Sequence, residues 1–187
     1  MRIIAGEAKG RELLAPKGSN TRPTLAKVKE AMFGMIQFDI EGAEVLDLFS
    51  GSGSLGIEAL SRGAKRATFC DSGRDAYNTV MANIKKLGYE GRASVYFSDS
   101  IRLLERLSEL NERFDIVLLD PPYESDLESR AVSELARLGL LNEGAILLCE
   151  HSKANPPVFP SAFTVKKAKK YGDSYVTYAV YEGVNEL

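Results

Sequence analysis

The sequence predicts an α/β fold in which a mostly parallel, twisted sheet is covered by helices on both faces. Short apolar runs alternate with segments of helical period from residue 44 onward, and a glycine-rich turn joins the first strand to its helix. The chain ends in two β-prone runs around a turn. Its 187 residues, 44% of them hydrophobic, are enough to bury the core of one domain.

Five predicted strands alternate with four predicted helices. The strands span residues 44–49, 67–71, 93–97, 114–120 and 145–150, and the helices span 55–62, 74–87, 101–110 and 127–138. The helix over 74–87 has the clearest period, with an apolar face from Tyr77 to Leu87 and Gly88 as its stop. Such alternation predicts parallel strands whose carboxyl ends border the ligand.

Two segments lie outside this series. Residues 1–20 contain β-prone runs at 2–5 and 11–15, which predict a small basic β-hairpin as an extension of the main domain over 21–187. A helix follows Thr21-Arg22-Pro23-Thr24, and Thr24 is expected to cap it. Runs at 163–170 and 175–182 predict a C-terminal antiparallel hairpin.

Charge is distributed unevenly along the chain. Residues 1–30 carry seven basic and three acidic side chains, whereas residues 41–150 carry 12 basic and 19 acidic ones. The basic N-terminal side chains are suited to a polyanion, although a solvated surface explains them too. The candidates for phosphate contact are Arg2, Lys9, Arg11 and Lys17.

Composition argues against several classes of protein. The longest aliphatic runs, 116–119 and 145–148, are far shorter than the roughly 20 residues of a membrane span. The N-terminal residues show no apolar secretory segment, so a cytoplasmic protein without membrane association is expected. Cys70 and Cys149 fall in predicted buried strands and have no ligand partner at metal-site spacing, which predicts free thiols and no metal.

The glycine-rich turn is suited to a nucleoside ligand. Gly51, Gly53 and Gly56 have the spacing that allows a tight turn and a close approach of backbone amides to an anionic group. A plain strand-to-helix turn shows the same spacing. Asp71, however, ends the next strand 20 residues after Gly51, where a carboxylate can accept hydrogen bonds from ribose hydroxyls.

Asp120-Pro121-Pro122-Tyr123, after the fourth strand, is suited to group transfer onto an exocyclic amine. The lone pair of such an amine is delocalised into the ring, so the nitrogen attacks poorly until acceptors hold its N–H groups. The Asp120 carboxylate and the Pro121 carbonyl can supply these acceptors. Consecutive prolines stiffen the backbone, and Tyr123 can stack on a base that has left its helix. Taken alone, the tetrapeptide is also a plausible turn.

With these motifs in this order, the sequence resembles the class I S-adenosylmethionine-dependent methyltransferases, which have a Rossmann-like fold. Within them it resembles the RsmD family of bacterial small-subunit ribosomal RNA guanine-N2 methyltransferases. The glycine turn and Asp120–Tyr123 are common to many amino-methyltransferases. Thr21-Arg22-Pro23-Thr24, Glu150-His151-Ser152 and Tyr171-Gly172-Asp173 narrow the resemblance, which covers nearly the whole chain.

The resemblance implies S-adenosylmethionine as cofactor and a set of residues that bind it. These are Thr21, Arg22, Thr24, Asp47, Phe49, Gly51, Gly53, Asp71 and Asp99. Residues of the first strand and its turn are expected at the methionyl end, Asp71 at the ribose and Asp99 at the adenine amino group. Residues 21–24 are expected to close over the cofactor. Ser72-Gly73 departs from the family pattern. The resemblance therefore specifies the adenine contacts less closely, and the expected ribose contact of Asp71 is unaffected.

The predicted reaction is methyl transfer to N2 of a guanine in 16S ribosomal RNA, either as naked RNA or in an assembled small subunit. Tyr123 and the basic N-terminal side chains are the expected RNA contacts, and a monomer is expected. One alternative is a DNA adenine-N6 or cytosine-N4 methyltransferase. A dinucleotide-dependent oxidoreductase is another, but it leaves Asp120–Tyr123 unexplained. The third is a catalytically silent ribosome-assembly factor.

Overall fold

A computed structural model describes residues 1–17, 23–122 and 126–183, with only the backbone described for residues 23–25. Its helices are α1 (Pro23–Met35), α2 (Ser54–Ser61), α3 (Arg74–Leu87), α4 (Ser100–Glu109) and α5 (Leu127–Arg137). Its strands are β1 (Glu44–Asp47), β2 (Arg66–Asp71), β3 (Ala93–Phe97), β4 (Phe114–Leu119), β5 (Leu141–His151), β6 (Phe163–Tyr171) and β7 (Ser174–Tyr181).

The strands form one sheet in the order β3-β2-β1-β4-β5-β7-β6. Strands β1 to β5 pair in parallel, and β7 and β6 add an antiparallel hairpin beyond β5. The predicted fold class is therefore confirmed. The chain order reverses between β1 and β4, and in parallel sheets the crevice at such a reversal is where ligands bind.

Both faces of the sheet are covered, as predicted. Alternate residues of β1 point to opposite faces, so Val45 packs with α1, α2 and α3 while Leu46 packs with α4 and α5. Both side chains are fully buried. The two hydrophobic cores hold the strands rigidly, which fixes the positions of the loops at their carboxyl ends.

Most predicted boundaries differ from the structure by only one or two residues, and two predicted features differ more. Helix α1 begins at Pro23, so Thr24 lies inside the helix and the prediction that it caps the helix is wrong. Proline suits the first helical position because its missing N–H would have no helical partner there. Strand β5 begins at Leu141, four residues before the predicted start at Ala145, because Leu141 pairs with Phe114 across an irregularity in register.

The N-terminal segment, residues 1–17, folds back on itself with a single antiparallel bridge between Arg2 and Glu12 where two short strands were expected. Longer pairing fails because the amides of Ile4 and Ala5 donate to the Glu58 carboxylate on α2. Ile3 is buried in the core shared with α1, α2 and α3. The predicted boundary between residues 20 and 21 lies outside the described residues.

Within the part of the chain that the structure describes, no helix is both long and apolar enough to cross a membrane.

Candidate active site

A cavity of about 680 Å³ opens at the carboxyl ends of the parallel strands. Residues that follow β1, β2, β3 and β4 line it, together with Glu150 near the end of β5. Met1, Arg2 and Pro16 of the N-terminal segment contribute another part of the wall, as does Lys29 of α1. The cavity therefore lies where the reversal of strand order predicts a ligand.

The glycine turn is shaped by its backbone. Gly51 has φ 54° and Gly53 has φ 79°, backbone conformations that residues other than glycine rarely adopt. The amide of Gly51 donates to the Asp71 carboxylate at 2.9 Å. At Gly56, an added Cβ would lie 2.3 Å from the Phe69 ring, so the third glycine lets α2 pack closely against β2. Backbone conformation thus favours glycine at the first two positions of the motif, and close packing favours it at the third.

Asp47 supports this turn from a buried position. Its carboxylate accepts a hydrogen bond from the Gly56 amide at 2.9 Å, and only 1% of the residue is exposed. Burial raises the pKa of Asp47 to about 7. Neither Asp47 nor Gly53 is on the wall of the cavity, whereas Phe49 and Gly51 are. The structure therefore brings only part of the predicted β1 group to the cavity.

Asp71 and Asp99 both line the cavity, as their positions after neighbouring strands predict. Asp71 accepts from the amides of Gly51 and Gly73, so its carboxylate also fixes two loops. Asp99 accepts from the amides at the start of α4 and caps that helix. Each carboxylate is thus held in one orientation by the backbone around it.

Asp120, Pro121 and Pro122 line the same cavity after β4, beside the turn that follows β1. Burial raises the pKa of Asp120 well above its usual range, and the negative charge of Glu150 raises it further. The predicted residues Thr21, Arg22 and Tyr123 lie outside the described residues, and so does the side chain of Thr24.

Lys29 and Glu150 line the cavity although neither was predicted as a site residue; Glu150 was noted only as part of the Glu150-His151-Ser152 motif. The Lys29 ammonium group donates to the Arg2 carbonyl and the Ser54 hydroxyl, and it pairs with Glu58 at 3.1 Å. Burial lowers the pKa of Lys29. The available signal was helical spacing, since Lys29 precedes the buried residue Phe33 by one turn. Glu150 gave a weaker signal, as the polar end of an apolar strand.

The four basic residues predicted to contact phosphate are all exposed. Arg2 pairs with Glu12 at 2.9 Å, and Arg11 donates to the Lys86 carbonyl at 2.8 Å. Because Met1, Arg2 and Pro16 line the cavity, the segment that carries these side chains borders its edge. Strand β6 adds four exposed lysines at the sheet edge, Lys166, Lys167, Lys169 and Lys170.

His151 is buried away from the cavity wall. Its ring nitrogens hydrogen-bond to the Thr177 hydroxyl and the Ser152 carbonyl, both at 2.8 Å, and the ring stacks on Tyr175. These contacts indicate a structural role in joining β5 to β7. Cys70 and Cys149 are free and buried, as predicted. Among the described residues, no group of three or more His, Cys, Asp or Glu side chains is placed to hold a metal ion.

Comparison with known proteins identifies the family. The family model described as Conserved hypothetical protein 95 matches residues 1–180. The chain belongs to this family. It is 36% identical to ribosomal RNA small subunit methyltransferase D of Haemophilus influenzae, over 97% of this chain and 93% of that protein. It is 40% identical to YlbH of Bacillus subtilis, over 82% of this chain and 83% of the relative.

A solved structure, the Escherichia coli protein yhhF, superimposes with a TM-score of 0.87 at 29% identity, covering 98% of this chain and 99% of that one. The curated Escherichia coli relative is named ribosomal RNA small subunit methyltransferase D and is 32% identical over 97% of this chain and 89% of its own length. These comparisons confirm both the RsmD family and the methyltransferase fold predicted from the motifs.

Proposed function

We propose that this protein is an S-adenosylmethionine-dependent methyltransferase that modifies the exocyclic N2 of a guanine in 16S ribosomal RNA. The observation that carries the proposal is that Asp71 and the Asp120-Pro121 pair line one cavity. A carboxylate that can accept from ribose hydroxyls and two acceptors for the N–H groups of an amine thus face the same space. The relatives named ribosomal RNA small subunit methyltransferase D support RNA as the substrate.

The residues present fit the cofactor. The cavity volume of about 680 Å³ lies within the usual range for sites that bind small molecules and cofactors. The start of α2 offers backbone amides and Gly51 allows the backbone to approach the cofactor closely. Asp71 is assigned to the ribose and Asp99 to the adenine. Thr21, Arg22 and Thr24 are assigned a covering role because α1, which contains Thr24 and follows Thr21 and Arg22, contributes Ala26 and Lys29 to the wall. Asp47 and Gly53 act through the shape of the turn.

S-adenosylmethionine supplies an electrophilic methyl group when it is bound. The protein's part is to present the amine correctly. The Asp120 carboxylate and the Pro121 carbonyl accept the two N–H groups of guanine N2, which favours a tetrahedral nitrogen. Pro121 and Pro122 have no backbone N–H, so neither residue competes with the amine for these two acceptors. The Asp120 carboxylate, which accepts one N–H of N2, is also placed to accept the proton that N2 releases after methylation.

The RNA surface is assigned to the basic rim. Arg2, Lys9, Arg11 and Lys17 hold phosphates beside the cavity, the lysines of β6 are secondary, and Tyr123 stacks on the flipped base. The substrate is 16S RNA, free or in an assembled small subunit, which places the protein in the cytoplasm. We propose that it acts as a monomer.

Two experiments test the function. Mass-spectrometric mapping of modified guanosines in ribosomal RNA, from cells with and without the protein, should show the loss of one N2-methylguanosine. Calorimetry should show binding of S-adenosylhomocysteine and no comparable binding of NAD. Equal binding of NAD would favour the oxidoreductase alternative, and an unchanged set of modified nucleosides would contradict the RNA methyltransferase.

A further inference from the structure

Glu150 lies beside Asp120 at the reaction end of the cavity. In the parallel pair of β4 and β5, Leu119 and Cys149 are partners. The residues that follow them in the sequence, Asp120 and Glu150, are therefore neighbours. Paired residues of parallel strands point to the same face of a sheet. Both residues line the cavity, and Glu150 is only 4% exposed. Two carboxyl groups therefore border the place assigned to the amine.

A pair of carboxylates matches only one kind of nucleobase edge. In guanine the exocyclic amine is next to the ring N1–H, so the edge presents donors side by side. In adenine and cytosine the ring nitrogen beside the amine carries a lone pair and no hydrogen. A second carboxylate would repel that lone pair, whereas it would accept a hydrogen bond from guanine N1–H.

We propose that Glu150 accepts the N1–H of the target guanine while Asp120 holds N2, which makes Glu150 a residue that determines base specificity. The inference rests on the proposed function and deepens it, because it names the group that distinguishes guanine from other bases with an exocyclic amine. It also gives a reason for a glutamate at a buried site next to another acid. The donors of guanine stabilise both carboxylates at once.

The neighbouring acid does not disturb this arrangement. Glu128 of α5 is also buried, and burial raises its pKa to about 8. Glu128 therefore keeps its proton more readily than an ordinary glutamate and adds less repulsion to the pair. Asp120 and Glu150 remain the two carboxyl groups that border the cavity on this side.

The test compares two versions of one RNA. A fragment containing the target site is made with guanine or with 2,6-diaminopurine, which keeps the N2 amine but has a bare N1. Wild-type enzyme should prefer guanine by about 100-fold or more in kcat/KM, since a site built for an N–H rejects an analogue that lacks it. In Glu150→Gln the preference should fall below about 10-fold, because the amide can donate to a bare N1.

Glu143→Gln is the matched control, since Glu143 is an exposed residue of the same strand, and it should keep the wild-type preference. If Glu150→Gln is too slow on both RNAs, competition binding in the presence of S-adenosylhomocysteine measures the same ratio. An unchanged preference in Glu150→Gln would overturn the inference while leaving the proposed function intact. A wild-type enzyme that binds S-adenosylhomocysteine but methylates neither RNA would overturn both.

Discussion

Replacing Glu58 by Gln should release the N-terminal segment and strongly destabilise the protein. Glu58 lies on α2 and is fully buried. One carboxylate oxygen accepts from the Ala5 amide at 3.0 Å and pairs with Arg62 at 2.9 Å. The other accepts from the Ile4 amide at 2.9 Å and pairs with Lys29 at 3.1 Å. Two cations and two backbone amides thus converge on one side chain.

The expected loss follows from these four contacts. In Gln, an NH₂ group replaces one oxygen and faces two donors, so two hydrogen bonds are lost. Hydrogen bonds to charged groups contribute about 1.5 to 3 kcal/mol each. Removing one partner of a buried ion pair costs about 3 to 5 kcal/mol, because the remaining charge stays buried. The free energy of unfolding should therefore fall by about 3 to 5 kcal/mol.

Urea unfolding measures this loss, and hydrogen exchange at the Ile4 and Ala5 amides measures the local release. Glu44→Gln is the matched control, since Glu44 pairs with Lys65 at the surface, where 26% and 70% of the two side chains are exposed. An exposed pair of this kind contributes less than about 1 kcal/mol. If Glu58→Gln cost no more than Glu44→Gln, with protection at Ile4 and Ala5 unchanged, the buried network would not be what holds the segment.

Three further predictions concern chemistry, RNA and pH. Asp120→Asn should lower turnover by two or more orders of magnitude, on the order of 3 kcal/mol in the barrier. Calorimetry should find its affinity for S-adenosylhomocysteine nearly unchanged, and an equal loss of affinity would assign Asp120 to cofactor binding. Neutralising Lys9, Arg11 and Lys17 together should reduce the slope of log affinity for RNA against log salt by up to about 2 to 3. An unchanged slope would place the RNA surface elsewhere. Burial raises the pKa of Glu128 from 4.5 to about 8, so the folded protein keeps a proton that the unfolded chain releases, and stability should fall as pH rises from 4.5 to 8. Glu128→Gln should make urea unfolding less sensitive to pH by about 2 to 4 kcal/mol over that range, and an equally steep curve would contradict the assignment.

The sheet and its helices were predictable because their signals are local. The helix predicted over 74–87 coincides with α3 at both ends, since its apolar face and Gly88 are readable within a few residues. The position of Asp71 and Asp120 at the cavity was predictable for the same reason. Each is the polar residue at the end of an apolar strand, and parallel topology brings such ends to one edge.

The buried polar network was not predictable, because its partners are far apart in sequence. Ile4 and Glu58 are separated by 54 residues, and no local period connects them. The same limit applies to Glu150. Its place beside Asp120 follows only from the pairing of β4 with β5, and that pairing is a property of the sheet order.

If the proposed function holds, the uneven charge of the chain separates binding of the cofactor and the base from binding of the RNA backbone. The cavity wall carries two basic side chains, Arg2 and Lys29, and a larger set of acidic ones, Asp71, Asp99, Asp120 and Glu150. The other basic side chains of the N-terminal segment are exposed and do not line the cavity. An acidic cavity favours a cofactor whose sulfonium is positively charged, and it repels phosphate. A nucleotide can therefore insert its uncharged base while its backbone stays outside, where Lys9, Arg11 and Lys17 are available to neutralise it. The charge pattern itself thus favours a flipped base over a threaded strand.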